Sequence, residues 1–179
     1  PPNNNYFLMS KTSFKKGTFH SNKNGEGKVH VITSYEDKEG KTVSYEEDLD
    51  ASLIIEEKPE RVATVAWANH DVSLALGVVP VGFSAANYGV QDDSGMLPWT
   101  AEKLKELGEA KPNIYQDTDG LDFEAIADSS PDVILAAYSG ITQEEYDTLS
   151  EIAPVVAYPE IPWVITWRDQ ILYNAKGMG

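Results

Sequence analysis

From Arg61 onward the sequence alternates short, almost wholly apolar runs with amphipathic stretches, and this alternation constrains the fold more than any other feature. The runs are VATVAW at 62–67, VVPVGF at 78–83, VILAA at 133–137 and VVAY at 155–158. Runs this short and this apolar suit strands buried on both faces of a parallel sheet. Between them the spacing predicts helices. His70 to Leu76 is closed by Gly77, and Ala101 to Leu107 follows Thr100 and is closed by Gly108. Asp122 caps a helix from Phe123 to Ala127, and Thr142 with Glu145 forms a capping box for a helix reaching Ile152. The expected architecture is α/β: a three-layer, Rossmann-like lobe with a mainly parallel sheet.

The segment before Arg61 has another character. Residues 1–28 are rich in Asn, Ser, Lys and Gly without a sustained period, and read as a flexible leader. VHVITSY and KTVSY are β-branched and aromatic runs separated by EDKEG, so residues 29–50 read as a β-hairpin extension, with Gly40 in its turn. A short strand over 52–55 follows. The α/β lobe is assigned to 51–162, and 163–179 reads as a helix that has only begun.

Charge and residue usage bound the function. Fourteen Lys and Arg against 29 Asp and Glu leave a net charge of −15, which repels nucleic acid and anionic membrane surfaces. With no cysteine there is no disulfide, thiolate metal site or thiol nucleophile. The apolar runs fall far short of the ~20 residues that span a bilayer.

In open parallel sheets the ligand crevice lies beyond the carboxyl ends of the strands. The residues just after the predicted strands include Trp67, Asn69 and His70; then Ser84, Asn87 and Tyr88; then Tyr138, Ser139 and Gly140; then Tyr158 and Trp163. Five aromatic rings therefore converge on one edge, where they can bury area against a ligand at small entropic cost. Between Arg61 and Arg168 the only Lys or Arg residues are Lys103, Lys105 and Lys111, none in a strand-end loop. Such a rim suits a neutral, cationic or weakly charged organic ligand rather than a phosphate. Arg168 is the one cation placed to reach it.

Motifs for catalysis are missing: GxSxG, GxGxxG, a P-loop and HExxH are all absent. The histidines His20, His30 and His70 are scattered, and the Asp92–Asp93 pair sits in a Gly-containing loop, where such carboxylates are usually just solvated. No metal held directly by protein side chains is expected. Glu124, in the first turn of a capped helix, is accounted for by the helix macrodipole, and exposed there it is also a candidate docking charge.

Several spaced elements occur in order: PERVATVAWANHDVSLALGVVPVGFS, a loop with MLPW, LDFEAIADSSPDVILAAYSGITQEEYDTLSEIAPVVAYPEIPW, and WRDQI. Over residues 51–179 the sequence resembles the amino-terminal lobe of the iron-siderophore ABC-transporter substrate-binding proteins, the class III or helical-backbone group. The resemblance implies a non-enzymatic, extracytoplasmic protein, periplasmic or lipid-anchored at the cell surface. Such a protein captures a ferric siderophore between two α/β lobes joined by a long helix and delivers it to an ABC permease. It also implies that Glu124, in DFEAIA, is the lobe-surface glutamate that pairs with permease arginines. Trp67, Asn69, Tyr88, Tyr138, Tyr158, Trp163 and Arg168 become ligand-site candidates, with Fe(III)-siderophore as ligand and no covalent cofactor. The scarcity of rim cations favours a hydroxamate over a catecholate complex. Relatives continue through the linking helix into a second lobe and often carry an acylated cysteine at the mature start, and neither is found in this chain. Haem or cobalamin carriage, with Tyr138, Tyr158 or His70 as axial candidates for haem, is the alternative within the fold. A chelatase-like enzyme using His70 and the acidic loop, or a noncatalytic adhesin, are the alternatives outside it.

Overall fold

The computed structural model describes the backbone of residues 6–8, 14–21, 27–36, 42–51, 53–55 and 58–179 apart from 91 and 118, with side chains described at Ile55 and from Lys58 onward. In chain order the elements are β1 (Tyr6–Leu8), β2 (Phe14–Ser21), β3 (Gly27–Glu36), β4 (Thr42–Ala51), β5 (Leu53–Ile55), β6 (Val62–Thr64), α1 (Asn69–Ala75), β7 (Gly82–Ser84), α2 (Pro98–Glu106), β8 (Ile114–Tyr115), α3 (Phe123–Asp128), β9 (Val133–Leu135), α4 (Gln143–Ile152), β10 (Val155–Val156) and α5 (Trp167–Met178).

Before residue 58 the strands form two small sheets. β3 pairs antiparallel with both β2 and β4, and β1 pairs parallel with β5. The segment expected to be a flexible leader therefore contributes two strands. FKKGTFHS carries Phe, Thr and Phe among lysines and a glycine, a mixed pattern that reads weakly alone and is completed by a non-local partner. Residues 37–40 of the EDKEG turn lie outside the described residues.

The lobe is built on a five-stranded, all-parallel sheet in the order β10-β9-β6-β7-β8. Side-chain alternation divides its strands between two cores. Ala63, Val65, Ile134, Ala136, Val155 and Ala157 point to one face, where Ile126 of α3 and Leu149 of α4 cover them. Val62, Val133, Leu135 and Val156 point to the other, against Val72 of α1 and Met178 of α5. A third cluster joins Leu74, Phe83 and Leu104 of α1, β7 and α2. This is the three-layer arrangement the alternation implied. α5 lies close to the sheet because Gly177 has no side chain: a Cβ there would fall 2.5 Å from Val156 Cγ2.

Two elements differ from the sequence reading for local reasons. VVPVGF forms a strand only over its last part, β7 running one residue beyond it. Pro80 has no N–H for a ladder, and regular pairing begins when Val81 N–H donates to Val62 O at 2.8 Å. α2 begins at Pro98, which takes the first helical position where its missing N–H costs nothing. The fifth strand, β8, has only two residues and lay below any periodic signal. The capping signals act as read: Asp122 accepts from Ala125 N, and Thr142 with Glu145 forms the reciprocal box.

At the amino ends of the central strands, Asp132 accepts from the backbone N–H groups of Glu60 and Arg61, both at 2.9 Å. The Arg61 guanidinium in turn donates to the carbonyls of Ser130 and Ser129, at 2.7 and 2.6 Å. This clamp ties the start of β6 to the loop entering β9.

Candidate functional site

The strand order reverses between β6 and β9, the first and fourth strands of the sheet in sequence, so the chain leaves this point toward opposite sides and opens a crevice at the carboxyl edge. A cavity of ≈ 210 Å³ lies there. Every strand of the sheet feeds its walls: Ala66 and Trp67 after β6; Ser84, Ala85 and Asn87 at and after β7; Asp117, Gly120 and Leu121 after β8; Gly140, Ile141 and Glu145 after β9; Trp163 after β10.

The two tryptophans stand on strained backbone. Ala66 and Ala68, flanking Trp67, have φ of 60° and 64°, and Trp163 itself has φ of 61°. The left-handed region costs a residue with a side chain ~1–2 kcal/mol, so neighbouring contacts must hold it. Ala66 N–H donates to Ser84 Oγ at 2.9 Å. Trp163 N–H donates to Ser139 O at 2.9 Å, and Ile161 bridges Val164. The Trp163 indole lies against Gly140, where a Cβ would fall 2.2 Å from its Nε1. Tyr138 stands between the two tryptophans, edge-to-face with both, at centroid distances of 6.2 Å to Trp67 and 5.1 Å to Trp163. Trp67 Nε1 reaches the Tyr88 carbonyl at 3.4 Å.

Electrostatically the cavity is acidic: Asp117 and Glu145 line it, with no Lys, Arg or His. Burial pushes the Asp117 carboxyl above the usual carboxylate range, and the Asp122 charge adds to the rise, while a short hydrogen bond from Ser84 Oγ opposes it. Glu145 accepts from Thr142 N–H at 2.7 Å, so part of its charge is used in capping α4.

Of the residues expected at the rim, Trp67 and Trp163 line the cavity and Tyr138 braces them. Asn69 does not reach it. The Asn69 side chain is fully buried, donating to Val65 O and Tyr138 O at 2.8 and 2.9 Å and accepting from Tyr138 N and Asn174 Nδ2, both at 3.0 Å. It fastens the ends of β6 and β9 to α5. Tyr158 is buried in the core on the α3–α4 side. Tyr88 is 78 % exposed and outside the cavity, contributing its carbonyl. Arg168 is exposed, its guanidinium 4.2 Å from the Trp167 ring centroid. Glu124 stands exposed in the first turn of α3, away from the cavity walls.

His70, weighed for haem or catalysis, is buried, stacked on Phe83 at 4.8 Å and 3.3 Å from Thr100 Oγ1. Burial lowers its pKa despite the neighbouring Asp71, which keeps it neutral and structural. Asp92 forms a local turn by accepting from Ser94 N–H. No group of three His, Asp or Glu among the described residues is gathered to hold a metal ion. Sequence reasoning placed Ser84 at the edge without choosing it as a site residue, and it missed Asp117 and Glu145. Ser84 ends β7, Asp117 follows β8, which was not recognised, and Glu145 was read only as a cap.

Residues 62–179 match the family described as Periplasmic binding protein. Among solved structures, Streptococcus pneumoniae TIGR4 PiaA in complex with ferrichrome is 64 % identical, with a TM-score of 0.68 over 70 % of this chain and 41 % of that one. A periplasmic solute binding protein from Mycobacterium smegmatis is 26 % identical, with a TM-score of 0.59 over 82 % of this chain and 46 % of that one. Staphylococcus aureus SirA complexed with staphyloferrin B is 26 % identical, with a TM-score of 0.54 over 82 % of this chain and 42 % of that one. The comparison with curated proteins returned no match. This chain thus spans less than half the length of these solved relatives. With its parallel sheet, its crevice at the switch point and a match over residues 62–179, the chain belongs to the periplasmic binding protein family.

Proposed function

We propose that this chain supplies one lobe of the substrate-binding component of an ABC importer, and that its carboxyl-edge cavity takes one side of a ferric hydroxamate siderophore. The observation that carries this reading is the cavity's chemistry: two tryptophan walls, two carboxylates and no cation. A ferric tris-catecholate carries a strong negative charge that such walls would repel, whereas ferric hydroxamates are near neutral or cationic. The 64 % identical S. pneumoniae protein solved with ferrichrome supports the same ligand class.

In this reading Trp67 and Trp163 pack on the ligand, Tyr138 holds them apart, and Asn69 and Tyr158 support the edge from within. Tyr88 and Arg168, outside this cavity, contact parts of the ligand that project beyond it. Glu124 is the docking charge for the permease. The protein works outside the cytoplasm, in a periplasm or lipid-anchored at the cell surface, as a carrier that catalyses no reaction. A second lobe covers the ligand's far side, so the single lobe binds more weakly than the two-lobed protein. No helix among the described residues is long and apolar enough to cross a membrane.

Titration with ferrichrome and with a ferric tris-catecholate, following tryptophan quenching, tests the reading. This chain and a polypeptide extended to the full length of its relatives are compared. Tighter quenching by ferrichrome, strengthened in the extended protein, is expected. A catecholate preference in the extended protein overturns the hydroxamate assignment.

A further inference from the structure

We infer that the Ser84–Asp117 pair is a positioning device that sets Trp67 against the ligand; its bearing on affinity rests on the proposed binding role of the cavity. Beyond β6, Val65 N–H still donates to Leu135 O across the sheet, and the next amide, that of Ala66, turns away into the left-handed region. Ser84 Oγ accepts from that amide at 2.9 Å and donates its own single hydrogen to Asp117 Oδ2 in a hydrogen bond. Both steps are coupled by the chemistry of a hydroxyl: with its proton committed to the carboxylate, its lone pairs are left facing the Ala66 N–H. The ends of β6, β7 and β8 are thereby linked in one line, and Trp67 is the residue that follows Ala66.

Asp117 is thus not needed as a ligand contact to influence binding. The groups facing it are Ser84, its own backbone amide and the carboxylate of Asp122, with Glu145 also on the cavity wall; no basic residue lines that cavity. An ionised Asp117 accepts the Ser84 proton strongly, and a protonated one accepts it more weakly. Because burial raises its pKa, this loosening sets in at milder acidity than for an ordinary carboxylate.

The near-UV circular dichroism of Trp67, isolated by subtracting the Trp67→Phe spectrum, is followed from about pH 4 to about pH 8 in the 179-residue chain. The wild-type signal is expected to change in one transition above the ordinary carboxylate value of ~4. Asp117→Asn keeps an acceptor for Ser84, so it retains the neutral-pH signal and loses the transition. Ser84→Ala loses the signal at every pH. In the full-length protein, ferrichrome affinity falls about tenfold in Ser84→Ala, as for a buried hydrogen bond left unmade. A transition that persists in Asp117→Asn, or a wild-type Trp67 signal in Ser84→Ala, overturns the inference. Spectra that behave as expected in a protein that ignores ferrichrome leave the positioning device standing and remove the proposed ligand instead.

Discussion

At the amino ends of the parallel strands, Arg61 and Asp132 satisfy two amides and two carbonyls with charged partners. At the carboxyl ends, a few residues along the same strands, Ala66, Ala68 and Trp163 occupy left-handed backbone, and two tryptophans stand around an acidic cavity, Trp163 half-exposed and Trp67 part-buried. Left-handed backbone occurs at both edges, since Ser130 in the clamp has φ of 48°; what sets the second edge apart is its tryptophans and acidic cavity, held through contacts made from behind. Strain of this kind persists only where surrounding structure over-determines it. In the proposed reading the first edge serves stability and the second recognition, with Asn69 as the support of the second.

That division can be broken by substitution. Asn69→Ala is expected to have the largest effect, a loss of ~2–4 kcal/mol from leaving several buried polar groups unpaired, measured as a lowered Tm. A change in ligand affinity with an unaltered Tm would contradict the role given to Asn69. Trp163→Ala is expected to cost ~2 kcal/mol of ferrichrome binding energy in the full-length protein, with little change in Tm because the side chain is 49 % exposed. Gly140→Ala should act in the same direction, since its new methyl displaces the Trp163 indole. Equal affinity in all three proteins would remove Trp163 from the site.

Arg61→Lys sharpens the comparison from the opposite edge. It loses the planar fork on the Ser129 and Ser130 carbonyls and is expected to lower stability by ~1 kcal/mol, leaving ferrichrome affinity unchanged. The smallest effect concerns His70. Its folded pKa lies below its unfolded value of ~6.5, so above that pH both states are neutral and no penalty exists. As pH falls below it, the unfolded state takes up the proton first and stability declines until the native histidine protonates. His70→Gln should flatten that part of the stability–pH curve, and an unchanged curve would place the titration elsewhere.

Much of the lobe was legible because its signals are local. Asp122, and Thr142 with Glu145, cap helices within their own first turn, and the VILAA and VVAY runs announce buried strands without reference to anything distant. The site was legible only as an edge. Asn69 and Tyr158 follow strands just as Trp67 and Trp163 do, and nothing in their spacing tells a side chain that supports the edge from one that lines it. The Ser84–Asp117 contact joins positions 33 residues apart and passes through a two-residue strand without periodic pattern. The strand β2, likewise, depends on a partner strand rather than on its own sequence.

In the proposed function the carboxyl edge, and not the amino edge, meets a ferric hydroxamate. High-spin Fe(III) broadens the resonances of nearby amides even when binding is weak, so the most direct measurement is the backbone amide spectrum of this chain with ferric ferrichrome, using the gallium complex as diamagnetic control. Selective broadening is expected at 66–68, Gly140 and Trp163, with the amides of Arg61, Ser129, Ser130 and Asp132 unaffected. Broadening centred on Arg61 and Asp132, or spread evenly over the lobe, would contradict it.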